Sequence, residues 1–224
     1  MIFNYFPKYF NKILHFIYPK FCKSCNVFIN QDFGLCSNCM NNIKPIACLQ
    51  FNINLKKKVN IYSVSSYADP LKKFIFEKFY AKNSLACKYL AQIIYKKTVI
   101  KDLKIDYLIP VPLHWTRFAK RGYNQSKEIS IELSKLLNVP VLDILKRDKK
   151  TAYQSTLTYD DKQMNLKNAF SLKNKYINKN LLKNKKIFIV DDLFTSGATI
   201  SNVANVLFKK DVDSINVVVV CRVV

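Results

Sequence analysis

The chain has 224 residues, half of them apolar, enough for one medium-sized domain with a real core and a small appendage. Lysine and arginine number 37 against 15 acids, a net charge of +22, so the chain attracts polyanions: nucleic acid, phosphorylated ligands or an anionic membrane surface. It has no run of about 18 uncharged apolar residues and no basic N-terminal region leading to a small-residue cleavage site. That argues against a transmembrane or secreted protein and for a cytoplasmic one, whose seven cysteines are thiols or metal ligands.

Residues 1–20 are aromatic and basic. Ile2, Phe3, Phe6, Phe10, Ile13, Leu14 and Ile17 fall near one helical face, and Pro7 ends or kinks the first turn. Such a helix packs on the protein's own body, or lies at a membrane interface or against a partner; the interrupted face favours the first. Cys22, Cys25, Cys36 and Cys39 follow, spaced C-x2-C-x10-C-x2-C. Each pair offers two sulfurs from one knuckle, and two knuckles make the tetrahedral set of a closed, structural zinc site. Binding worth ~10–16 kcal/mol would fold so small a unit. Four reduced thiols in a loop, or an iron–sulfur cluster, are the alternatives. Cys48, Cys87 and Cys221 have no partner at such spacing and read as small apolar residues. Two units are expected: a helix with a zinc module over 1–50 and a main domain over 51–224.

A strand is expected over 61–67. Asp69 then acts as N-cap, with Pro70 at the first position of a helix to about residue 80. A second helix runs from Ser84, burying Ala86, Leu90, Ile93 and Ile94. The next strand starts at Tyr107 and runs into a proline-stiffened loop that carries Arg117, Lys120 and Arg121. Loops after strand ends form the ligand side of an open α/β sheet. The three cations therefore suit a diphosphate clamp or a nucleic-acid backbone, with plain solvated charge as the alternative. A further helix turns Ile129, Leu133, Leu136 and Leu137 inward, and the stretch from 146 to 170 is polar and aperiodic.

Residues 187–190 are continuously apolar, too short for a helix, and read as a strand buried on both faces. Asp191 and Asp192 follow at once, then Thr195, Ser196, Gly197, Ala198 and Thr199, then a helical stripe of Ile200, Val203, Ala204 and Leu207. A hydroxyl-rich turn at a helix N-terminus offers backbone N–H groups and the positive end of the dipole, which suit a phosphate. The two acids suit sugar hydroxyls or Mg²⁺. An acid-capped surface connection is the plain alternative. The chain ends in a β-branched strand from Ser214, expected inside the sheet, and strand–helix alternation implies parallel strands with helices on both faces.

The 187–199 stretch resembles the phosphoribosyl diphosphate (PRPP) signature of type I phosphoribosyltransferases. In that family the acids hold the ribose hydroxyls and the loop holds the 5′-phosphate. The resemblance therefore implies Asp191 and Asp192 on ribose and Mg²⁺, and Thr195, Ser196, Gly197, Ala198 and Thr199 on the phosphate. Pro110-Val111-Pro112-Leu113 and then Arg121-Gly122-Tyr123-Asn124-Gln125 narrow this to a resemblance to the competence protein F family. That family joins an N-terminal Cys₄ zinc module to a type I phosphoribosyltransferase domain. Lys146, Arg147, Thr151, Gln154, Leu157, Asn165, Ala169 and Phe170 follow its spacing. Two departures stand out: a second cysteine pair is reduced to Cys48, and a family arginine is Lys162 here, which keeps the charge but not the guanidinium fork.

The family resemblance implies a mostly parallel α/β sheet and structural Zn²⁺. It also implies a mobile segment, with Lys149, Lys150, Tyr153 and Lys162, that closes over Mg²⁺-PRPP. The implied partners are the single-stranded DNA of natural transformation, a competence helicase and the inner-membrane surface. Phosphoribosyl transfer would need an acceptor, and no general base stands out. A non-catalytic PRPP-sensing DNA binder or a docking scaffold is the alternative reading.

Overall fold

The computed structural model describes residues 20–30, 34–73, 75, 84–148 and 169–223. The expected N-terminal helix, the segment with Lys149, Lys150, Tyr153 and Lys162, and most of the helix expected up to residue 80 lie outside the described residues.

In chain order the elements are a short helix α1 (Ser37–Asn41), strands β1 (Leu49–Asn52) and β2 (Lys58–Ser66), helix α2 (Ser84–Lys97), strand β3 (Tyr107–Pro110), and helices α3 (Trp115–Arg121) and α4 (Gln125–Leu137). Then come strands β4 (Leu145–Arg147), β5 (Phe170–Leu172), β6 (Lys186–Val190) and β7 (Leu193–Phe194), helix α5 (Ala198–Phe208) and strand β8 (Ser214–Arg222). The main sheet has the order β1-β2-β8-β6-β3, with β7 pairing the end of β8. The β2–β8, β8–β6 and β6–β3 pairings are parallel, and only the edge pair β1–β2 is antiparallel. β4 and β5 form a separate antiparallel pair that brackets the polar 149–168 stretch.

The expected mostly parallel sheet covered on both faces is what forms, and the alternation of side chains explains it. Phe188, Val190, Val218 and Val220 point to the face covered by α2 and α4, where Leu90, Ile93, Ile94, Ile129 and Leu133 are buried. Ile187, Ile189, Val217 and Val219 point to the opposite face, under Ile200, Val203, Ala204 and Leu207 of α5. β8 lies inside the sheet, as its β-branched run requires. Cys22, Ile29, Leu35, Cys39 and Ile43 join the cluster on the α2 face, so the cysteine module shares the core of the main domain. No helix among the described residues is long and apolar enough to cross a membrane.

Four expectations change. The helix after Pro70 starts at Leu71, with Asp69 and Pro70 in a turn before it joined by a cis peptide bond. The basic loop after β3 is mostly helix: His114 caps α3 by accepting from Thr116 N–H, and Gly122 closes it at φ +80°. Seven residues are too few to show a helical period, but the caps explain the helix. Leu136 is 38% exposed rather than inward. Cys87 and Cys221 are fully buried as expected, whereas Cys48 is exposed at the surface.

Candidate phosphate and sugar site

At the carboxyl ends of β3 and β6 the chain opens a cleft of about 440 Å³. Ligand clefts form at this end because strands stop there while helix N-termini begin. The 111–113 segment after β3 and the 191–195 segment after β6 form its floor; Arg117 and Arg121 of α3, the start of α4, and Arg147 at the end of β4 wall it.

The two acids sit where β6 ends and β7 begins. Asp191 N–H donates to Val218 O at 3.1 Å, and Val220 N–H donates to Asp192 O at 3.1 Å, so β8 stitches their backbone in place. Their side chains are left half-buried against the cleft. Asp191 Oδ1 accepts from Ser126 Oγ at 2.8 Å and from Asp192 N–H at 2.9 Å, which sets the carboxylate's orientation. Two hard carboxylates on one open wall are the oxygen donor set that Mg²⁺ prefers.

Beyond β7 the loop turns into α5 through Gly197 at φ +76°. The first turn of a helix leaves its backbone N–H groups without intrahelical acceptors, and Thr195, Gly197 and Thr199 line the cleft at this turn. Gly197 is required twice over. A Cβ there would stand 2.2 Å from Phe51 Cζ, and Phe51 is itself held edge-on by Phe194 at 5.2 Å. Ser196 and Ala198 do not line the cleft: Ala198 is buried, and Ser196 Oγ is buried without a hydrogen-bond partner among the described residues.

Two of the three cations expected after β3 are brought to the same cleft. Arg117 and Arg121 line it, and Lys120 lies between them on α3. The Arg-Gly-Tyr-Asn-Gln run explains how. Gly122 ends α3, and Asn124 caps α4 by accepting from Ser126 N–H. Asn124 Nδ2 also donates to Val111 O at 3.0 Å, and Gln125 Oε1 accepts from Arg121 at 3.3 Å. Gln125 is 3% exposed and borders the cleft, yet its Nε2 has no hydrogen-bond partner among the described residues.

Arg147 was not singled out as a site residue from the sequence, yet it lines the cleft. Burial, and then the charge of Arg117, push its guanidinium down to about 10, with Asp191 acting the other way. A buried cation beside another cation is stabilised by an anion between them. Its place in the family spacing, beside Lys146, was the available signal. Ser126 and Phe51 carried none, because their partners lie far away in sequence.

The cysteine module is separate from this cleft. The Sγ atoms of Cys22, Cys25, Cys36 and Cys39 all lie within 4.8 Å of one another, with Cys25 and Cys36 at 3.6 Å. Zinc–sulfur bonds of about 2.3 Å put tetrahedral sulfurs a little under 4 Å apart, so the set fits zinc. Burial pushes the Cys22 thiol up, but N–H donors of Cys25, Cys36 and Ser24 outweigh it and lower it to about 6, whereas burial and the neighbouring thiols push Cys39 up to about 12.

Fold and cleft together define a phosphoribosyltransferase-type domain, and residues 86–223 match the family model described as phosphoribosyl transferase domain. The chain belongs to that family and, within it, to the competence protein F family. Competence protein F of Haemophilus influenzae is 35% identical over 217 residues, which cover 91% of each chain. DNA utilization protein YhgH of Shigella flexneri is 27% identical over 90% of this chain and 89% of its own. Competence protein ComFC of Streptococcus pneumoniae is 25% identical over 82% and 80%.

Proposed function

We propose that this chain binds Mg²⁺-PRPP in the cleft and takes part in the handling of single-stranded DNA during natural transformation. The observation that carries the reading is the meeting, in one cleft, of Asp191 and Asp192, the 195–199 turn, and the guanidinium groups of Arg117, Arg121 and Arg147. The turn takes the 5′-phosphate, the acids take the ribose hydroxyls, and the arginines face the diphosphate. Asp191 and Asp192 would hold Mg²⁺, which would supply positive charge to neutralise the phosphates. Arg117, Arg121 and Arg147 would stabilise charge on a departing diphosphate, the kind of preorganised electrostatics that lowers a barrier most. The polar 149–168 segment, with Lys149, Lys150, Tyr153 and Lys162, springs from the β4–β5 pair whose last residue before it in the cleft is Arg147, which suits a cover over the bound ligand. Transfer to an acceptor is the expected chemistry.

The DNA part is supported by the names of the relatives together with the +22 charge. A structural zinc in the Cys₄ module over residues 1–50 would hold that module on the domain over 51–224. The module and the N-terminal helix would then dock a helicase or a membrane partner.

Calorimetric titration with Mg²⁺-PRPP tests the cleft directly. Saturable binding that is lost in the double variant Asp191→Asn, Asp192→Asn is expected. No binding by the native chain, or unchanged binding by the variant, would refute it.

A further inference from the structure

The cations after β3 suit either a diphosphate or a nucleic-acid backbone. The geometry of α3 separates the two. Successive residues of a helix turn by ~100°, so Arg117 and Arg121 project together while Trp115 and Phe118 project together, with the two pairs roughly 110° apart. Arg117 and Arg121 line the cleft and are half-buried. Trp115 is 71% exposed and Phe118 50% exposed, and neither lines the cleft. Ala119, on the same side as the two rings, is exposed as well.

Trp115 is the only tryptophan of the chain. It leans on the buried His114 ring at a centroid distance of 5.8 Å, so one side of the indole is backed while most of the ring stays open to solvent. An exposed indole and an exposed phenyl, one helical turn apart, cost free energy in water unless something covers them.

We infer that the outer face of α3 is a base-stacking platform for single-stranded nucleic acid, placed back to back with the arginines that face the cleft. The inference rests on the DNA-handling reading above and names the residues that would carry it. Two facts choose this occupant. Two rings and an alanine suit one or two bases, whereas a stable protein interface needs about 800 Å² per partner. The chain as a whole carries +22, which draws in a phosphate backbone and leaves the rings to meet the bases. Bases present a π-face whatever their identity, so binding here is indifferent to sequence. Because the arginines point elsewhere, a strand on the rings and a diphosphate in the cleft occupy the protein together.

The test uses the full chain and a fluorescein-labelled 20-mer oligothymidylate at fixed ionic strength, read by anisotropy. Native protein is expected to bind it saturably, with quenching of the Trp115 emission. Trp115→Ala and Phe118→Ala are each expected to weaken binding between about fivefold and a hundredfold. Trp115→Phe should keep most of the affinity, and a 20-mer abasic oligonucleotide should bind native and Trp115→Ala protein alike. Saturating inorganic diphosphate should leave the oligothymidylate affinity within twofold. Native binding with no change in either alanine variant overturns the platform while leaving the DNA reading standing; no binding by the native chain overturns both. A dimer in sedimentation that Trp115→Ala dissociates, or binding to anionic phospholipid vesicles that the same variant abolishes, would assign the rings to a second copy or to a membrane and overturn the inference.

Discussion

Ser126 Oγ donates a 2.8 Å hydrogen bond to Asp191 Oδ1 across 65 residues of sequence. The bond ties the first turn of α4 to the end of β6, and so joins the two stretches that wall the cleft. A hydroxyl on a charged acceptor contributes about 1.5–3 kcal/mol, and here it also sets the direction of a carboxylate beside the cleft. Ser126→Ala is expected to weaken Mg²⁺-PRPP binding by about tenfold while the circular dichroism spectrum stays native. Calorimetry beside a thermal melt separates the two effects.

Gly197 stands under Phe51, a residue of the edge strand that no local motif connects to it. Gly197→Ala is expected to cost ~1–3 kcal/mol of stability through its positive φ and the ring it displaces. It should also abolish ligand binding, because the turn no longer closes. In Gly197→Ala, Phe51→Ala the clash is gone but the strain stays, so urea unfolding should show less than the sum of the two single losses.

Gln125 is a buried amide with an idle donor at the cleft wall. Replacing it by an apolar side chain of similar length removes an unmet hydrogen-bonding group, at the cost of its contact with Arg121. Gln125→Met is therefore expected to leave the melting temperature nearly unchanged and to weaken PRPP binding about tenfold. A clear fall in stability with intact binding would show that the amide serves the fold alone.

Asp143 accepts from Lys127 Nζ on α4 at 2.9 Å and from Lys173 Nζ beyond β5 at 2.6 Å, clamping the base of the β4–β5 pair to α4. Burial works to raise its pKa, but the two lysines outweigh it and hold the carboxyl below its usual 3.8. A depressed folded value means stability that is present above the unfolded pKa and is lost as pH falls through the folded one. All three groups are a third or more exposed, which holds the contribution to about 1 kcal/mol. Denaturant midpoints measured from pH 7 to pH 3 should fall less in Asp143→Asn than in the native chain, and the variant should start about 1 kcal/mol lower at pH 7.

Metal removal should act on the module first. One zinc per chain is expected by atomic absorption, absent in Cys25→Ser, Cys36→Ser. Chelation should lower the melting temperature, because Cys22 and Cys39 sit in the cluster that packs with α2. A stable, zinc-free native chain would rule out the structural metal.

The strand–acid–turn–helix stretch and the cysteine pairs were legible in the order of residues, because each is made by neighbours within about twenty positions, and the covered parallel sheet was legible from the strand–helix alternation along the chain. Local geometry is enough for them: a strand buried on both faces needs a continuous apolar run, and a phosphate turn needs a glycine before a helix. The run after β3 was misread as loop because seven residues are too few to show a period, although its caps were present in His114 and Gly122.

The same stretch that carries Asp191, Asp192 and Gly197 thus stood out in the sequence by itself. Only the tertiary structure decided what surrounds it: Ser126 orienting Asp191, Phe51 over Gly197, Arg147 in the cleft, and the parting of Trp115 and Phe118 from Arg117 and Arg121. The physical reason is distance along the chain. Sheet pairing brings strand ends from residues 50 to 220 into one place, and which side chains then meet depends on register and helix rotation, which no local pattern encodes.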